Sequence, residues 1–282
     1  MKNRKRPSRN WTKITYRLLL VIGVIAILYP FSSQLYYQYI NQQEVQEFDS
    51  QKSKLDTSAV DKRIELATAY NRTLTPAKLG DPFTETEKEG IAEYARMLEL
   101  QEQIGYVTIP SINQELPIRA GTSESVLQEG AGHLEGTSLP VGGEGTHTVI
   151  TAHRGLPSSR LFTDLDKVKK GDIFYITNIK ETLAYQVDQI LVVEPNDFDP
   201  VLVVDGEDYA TLLTCTPYMI NSHRLLVRGK RIPMPEKTSK ANKKKVDYFH
   251  EYYWFMIAIA ILLPVILLTL FYRSNKRKHK SR

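Results

Sequence analysis

Hydrophobic positions along this chain fall into three patterns. Two continuous apolar runs lie toward its ends. Residues 18–31 read LLLVIGVIAILYPF, and a mixed aromatic stretch carries the run to about residue 39. Residues 252–272 read YYWFMIAIAILLPVILLTLFY without a charge. A membrane-spanning helix needs ~20 mainly apolar residues, and aromatic residues favour the two interfaces. The second run meets both conditions. The first is shorter, contains Pro30 and is followed by no small-x-small cleavage site, so it is read as a retained anchor rather than a cleaved signal.

Between these runs the pattern changes twice. Residues 40–100 are polar, with Val45, Phe48, Leu55, Val60, Ile64 and Tyr70 at intermittent helical spacing. Residues 85–100 form a second helix candidate, with Ile91, Tyr94, Ala95 and Leu98 on one face. The segment Leu79-Gly-Asp-Pro-Phe-Thr84 separates the two as a turn or loop. From Gly105 onward the chain consists of short β-branched and aromatic runs divided by turn residues. Strands are predicted over 105–110, 115–120, 146–154, 172–180, 182–195, 210–216 and 225–232, with one helix over 161–168. Residues 101–235 are thus expected to be a mainly β barrel or sandwich.

Charge fixes the orientation of the chain and removes one function class. The net charge is +5, but residues 1–17 and 273–282 together hold 13 of the 37 basic residues and no acid. The remainder carries 24 basic against 32 acidic residues, so the central region is acidic and nucleic-acid binding is excluded as the reading of the high pI. Basic tails stay on the cytoplasmic side of a membrane. Both termini are therefore expected in the cytoplasm, with residues 40–251 outside the cell. The lysine-rich stretch at 236–251 is read as a basic linker.

The chain has one cysteine, Cys215, in Thr211-Leu-Leu-Thr-Cys215. A lone cysteine in an exported region has no partner for an internal disulfide, so it is buried packing, an intermolecular link or a nucleophile. A nucleophilic thiol requires a base or cation nearby. Arg224 opens the next predicted strand, and antiparallel pairing would face it toward Cys215. A guanidinium placed there either favours the thiolate or donates to an oxyanion. His279 lies in the C-terminal tail and His250 at the membrane boundary, which leaves four histidines in the exported region: His133, His147, His153 and His223. Position ranks His153 first, because it ends a β-branched strand where a loop begins. A single cysteine excludes a multi-cysteine zinc cluster, and no glycine-rich nucleotide motif is present, so no metal or cofactor is expected.

The chain resembles the sortases, and within them the class C, pilus-polymerising members. The resemblance rests on Thr211-Leu-Leu-Thr-Cys215 and its extension to Arg231, Gly105-Tyr-Val-Thr-Ile-Pro110, Gly132-His-Leu-Glu-Gly-Thr-Ser-Leu-Pro140 and Thr151-Ala-His-Arg-Gly-Leu-Pro157. It implies an eight-stranded sortase β-barrel with N-terminal helices and flanking transmembrane helices. It also implies that Cys215 is the nucleophile, His153 the general acid/base and Arg224 the oxyanion stabiliser. The expected substrates are pilin subunits bearing an LPXTG-like sorting signal, with a pilin lysine as acceptor. Asp81-Pro82-Phe83 resembles the class C lid, in which Asp81 would pair with the arginine and Phe83 would cover the thiol. Three rival readings stand beside this one: a sortase that attaches proteins to peptidoglycan, a cysteine peptidase resolved by water, and a non-catalytic membrane-tethered module.

Overall fold

A computed structural model of the chain describes residues 9–74, 93–156 and 158–235. The second apolar run, the basic linker and Asp81-Pro82-Phe83 lie outside the described residues. Eight strands build a closed barrel: β1 (Gly105–Ile109), β2 (Gln114–Ala120), β3 (Ala131–His133), β4 (Thr146–Thr151), β5 (Ile173–Thr177), β6 (Thr182–Val193), β7 (Asp208–Thr216) and β8 (His223–Ile232). The order around the barrel is β1-β2-β3-β4-β7-β8-β6-β5, and β1 pairs with β5 to close it. All pairs are antiparallel except β2 with β3 and β4 with β7.

The period-two alternation of the sequence sorts side chains between two hydrophobic clusters. Val107, Ile109, Leu116, Ile118, Phe174, Ile176, Leu183, Tyr185, Leu212 and Val227 fill the barrel interior. A smaller cluster sits on the outer face of β4, β7, β8 and β6. It consists of Val149, Val201 and Leu226, with Leu134, Leu191, Val193, Phe198 and Leu213 packed against them. Val201 and Phe198 come from the loop between β6 and β7, which covers that face. All six positions of β4 are consequently buried. A strand covered on both faces reads as a continuous run rather than an alternation.

Two helices precede the barrel. α1 spans Arg9–Lys52 without interruption at Pro30, and α2 spans Thr57–Thr73. Part of α1 is long and apolar enough to cross a membrane, by length and composition. Residues 37–236 form one compact unit, and residues 9–36 belong to another. Within the larger unit the predicted apolar positions meet the barrel: Phe48 and Val60 belong to its main core, and Leu55, Ile64 and Tyr70 pack against it. Arg119 of β2 reaches Glu44 of α1 at 2.9 Å. Asn71 of α2 both donates to the Leu139 carbonyl and accepts from its N–H, at 3.2 and 2.7 Å.

The structure departs from the sequence expectations at four places. Glu93–Leu98 is a 3₁₀ helix rather than the end of an α-helix. The predicted helix at 161–168 is a turn followed by a 3₁₀ helix at Leu165–Lys167. A short helix, α3, occupies Glu124–Glu129. Finally, β3 occupies Ala131–His133, where no strand is predicted. Gly132 is a packing requirement there: an added Cβ would lie 2.2 Å from the Gly121 carbonyl oxygen.

Candidate active site

The β7–β8 hairpin sets the first two residues of the site. Its register pairs Cys215 with Arg224, as antiparallel pairing around the 216–223 segment predicts. Val193 of β6 then pairs with Arg224. On the other side, the parallel β4–β7 ladder pairs Thr151 with Leu213. His153 lies two residues beyond Thr151, and Cys215 two beyond Leu213. One row across the outer face therefore runs His153, Cys215, Arg224, Val193.

Further hydrogen bonds, one from the backbone and two from side chains, tie β4 to β7 beyond the paired register. Ala152 N–H donates to the Leu213 carbonyl at 3.2 Å, and Thr214 Oγ1 donates back to the Ala152 carbonyl at 2.8 Å. Arg154 Nη1 donates to Thr216 Oγ1 at 2.5 Å, while its Nη2 pairs with Asp166 at 2.7 Å. The residues before and after His153 are thereby tied to the residues before and after Cys215. No sequence signal announces Arg154 beyond its place next to His153, because its partner lies 62 residues away.

The four candidate histidines separate by environment. His133 is 3 % exposed; its Nε2–H donates to the Ser138 carbonyl at 2.9 Å. His147 is 1 % exposed. Its Nδ1–H donates to the Leu202 carbonyl at 2.9 Å, so Nε2 accepts from the Thr211 hydroxyl at 2.8 Å. Burial lowers both imidazoles to about 4, so both are neutral struts; His147 fastens the β6–β7 loop to the sheet. His223 lies at the start of β8, 3.2 Å from Glu194 and bonded to Ser222. His153 presents a partly exposed ring, and its Nε2 stands 3.5 Å from Glu124 Oε1 of α3. Of the four, His153 alone lines the cavity that contains Cys215.

That cavity measures about 280 Å³. Cys215, His153 and Arg224 share its wall with Leu127, Leu134, Leu213 and Leu226 and with two residues not singled out from the sequence, Thr122 and Glu135. Arg224 Nη1 is turned toward the carbonyls of Asn221 and His223, each at 3.4 Å. Among the described residues no three His, Cys, Asp or Glu side chains converge to hold a metal ion. A thiol, an imidazole and a guanidinium on an apolar cleft form a set suited to acyl transfer.

Comparison with known proteins points to one family. The model of the Sortase domain matches residues 107–232. A crystal structure of Streptococcus pneumoniae sortase C, described in connection with catalysis and pilin substrate specificity, is 63 % identical with a TM-score of 0.63. It covers 68 % of this chain and 97 % of that one. The pilus-related sortase C of Group B Streptococcus is 60 % identical with a TM-score of 0.63, covering 67 % of this chain and 97 % of its own. Sortase A of Bacillus anthracis is 29 % identical over 216 residues, which is 75 % of this chain and 90 % of that protein.

Proposed function

This chain belongs to the sortase family of cysteine transpeptidases, and we propose that it joins pilin subunits through isopeptide bonds at the outer face of a membrane. The observation that carries the reading is the row of His153, Cys215 and Arg224 along one cavity wall. Identity of about 60 % to pilus-related sortase C structures, against 29 % to a sortase A, favours pilin joining over attachment to peptidoglycan.

In this reading an LPXTG-like signal lies in the cleft with its threonine carbonyl at Cys215. The thiolate attacks that carbon, and Arg224 donates to the developing oxyanion. His153 protonates the departing glycine amine as the C–N bond breaks, leaving a thioacyl enzyme. A pilin lysine then attacks the thioester, and the C–S bond breaks as the isopeptide bond forms. Asp81-Pro82-Phe83 acts as a lid, with Asp81 holding Arg224 and Phe83 covering the thiol until substrate arrives. The apolar part of α1 and the run at 252–272 anchor the chain, with both basic tails in the cytoplasm.

The test offers the full chain in detergent an LPXTG-type peptide and a lysine-bearing pilin, with and without the Phe83→Ala substitution. Mass spectrometry should show a thioacyl adduct and an isopeptide product, more of both with Phe83→Ala, and neither with Cys215→Ala. Equal product from Cys215→Ala would exclude the mechanism. Release of hydrolysed peptide alone would favour a peptidase.

A further inference from the structure

Glu135 is the buried acid that the mechanism leaves unused. It follows β3, is 2 % exposed, and lines the same cavity as Cys215, His153 and Arg224. Both of its oxygens accept hydrogen bonds, and both come from Thr122: the backbone N–H at 2.7 Å and the hydroxyl at 2.6 Å. A carboxylate offers about four acceptor positions. Two of these remain unused.

Among the described residues no lysine, arginine or histidine pairs with Glu135. Asp188 pairs with Arg228 and Asp166 with Arg154, whereas Glu115 and Asp208, like Glu135, are held by hydroxyl or N–H donors. A buried carboxylate is costly unless a cation compensates it. The surrounding wall supplies Leu127, Leu134, Leu213 and Leu226. Of the two carboxylates on this largely apolar cleft, Asp197 is exposed and Glu135 is buried, and a buried carboxylate there suits a ligand with a methylene stem and a positive end. A lysine side chain has that form.

We propose that Glu135 is the subsite for the ammonium of the acceptor lysine. The inference rests on the transpeptidase reading above and adds to it the group that selects a charged amine over water. The lysine arrives as R–NH₃⁺ and is held on Glu135 while Cys215 carries the acyl group and His153 is neutral. Transfer of one proton to His153 removes the positive charge and with it the hold of Glu135. The freed nitrogen attacks the thioester carbon, the C–N bond forms and the C–S bond breaks. The second proton passes to the departing thiolate, which leaves Cys215 as a thiol and His153 protonated.

A purely structural role is the competing account: Glu135 would only hold the Gly121–Ser123 turn through Thr122. Two acceptors separate the accounts, with the full chain in detergent and an LPXTG-type peptide as donor. Nα-acetyl-lysine amide is cationic, whereas hydroxylamine is neutral near pH 7. Glu135→Gln should raise the apparent KM for the lysine probe by about ten-fold or more, the effect of losing a charged partner. Thioacyl formation and hydroxylamine turnover should stay within about two-fold of the parent. Thr122→Val, which keeps the carboxylate, should leave lysine use within about two-fold as well. In the parent enzyme, 1-butylguanidine, a cation that is no acyl acceptor, should compete with the lysine probe but not with hydroxylamine. An unchanged KM in Glu135→Gln, an equal loss with hydroxylamine, a changed donor KM alone, or a Thr122→Val variant that mimics Glu135→Gln would each overturn the subsite while leaving the transpeptidase standing. Absence of any thioacyl adduct in the parent would remove the transpeptidase reading, and the subsite with it.

Discussion

The strands β4, β7 and β8 present two unlike surfaces to two hydrophobic clusters. Their inner face carries Ile150, Ala210, Leu212, Leu225 and Val227, all buried in the barrel core. Their outer face carries His147, Thr211, Cys215, Arg224 and Arg228 interleaved with Val149, Leu213 and Leu226. The two surfaces are one residue out of phase along the same backbone. The inner face therefore holds the strands rigid, and the outer face inherits that rigidity for polar groups that could not pack a core themselves. A stiff scaffold of this kind places reacting groups more accurately than a loop does.

The largest way to sharpen the contrast is to remove one outer group. Cys215→Ala should abolish transpeptidation, by at least about a thousand-fold, because no other group on the cleft can carry the acyl chain. Its thermal midpoint should stay close to the parent's in calorimetry. An inner-face change should do the reverse. Leu212→Ala should cost about 2–5 kcal/mol in urea unfolding through the cavity it leaves, while active-site titration shows the folded fraction fully reactive. If Leu212→Ala lowered turnover per folded molecule as much as Cys215→Ala, the division between the faces would not hold.

Acid should act on the buried struts before it reaches the core. His133 and His147 are neutral when folded, with values near 4, while an unfolded histidine titrates near its usual 6.5. Between those limits the unfolded chain binds more protons. Folding stability should thus be complete above about pH 6.5 and fall as the pH drops toward 4, by a few kcal/mol in all. Replacing His147 with Gln should flatten part of that slope in pH-resolved urea titrations. An unchanged slope would mean the strut is not what acid breaks.

Smaller effects come from the groups that align the row. Arg154→Met removes the tie between the residues following His153 and Cys215. Turnover should drop by about ten-fold through misplacement, with binding of the donor peptide little changed. Glu124→Gln alters an exposed partner of His153, and should change turnover by no more than about three-fold, less still in high salt. A larger loss from Glu124→Gln than from Arg154→Met would invert the proposed order of importance.

How much of this was legible in the sequence follows from how local each signal is. The β7–β8 hairpin was readable because Cys215 and Arg224 are separated by a short turn, and alternation fixes which side chains face each other. The helices were readable from Val45, Phe48, Val60 and Ile64, whose spacing needs no distant partner. β3 was not, because three residues with a glycine carry no period, and their strand character comes from β2 and β4 on either side. The predicted helix at 161–168 failed for a related reason: its apolar residues Leu161, Phe162, Leu165 and Val168 are all buried, but by a turn packed into the core rather than a helix laid across it. Position favoured His153 over the other histidines without deciding among them. The burial of His133 and His147 that sets them apart depends on the loop at 194–207 and on Ser138. Glu135 gave no signal at all, since an acid in a polar turn looks solvated until the cavity around it exists.

The parallel pairing of β4 with β7 has a consequence in time as well as in space. It joins Thr151 to Leu213, residues 62 positions apart, and it brings His153 beside Cys215. Contacts of such long sequence separation carry a loop-closure cost before they return any stability, so they tend to form late in folding. The hairpin that pairs Cys215 with Arg224 closes early by comparison. A folding chain is thus expected to bring thiol and guanidinium together while the imidazole is still remote. Chemical competence arrives only with barrel closure, and an immature molecule has no means of acylating a neighbour out of turn.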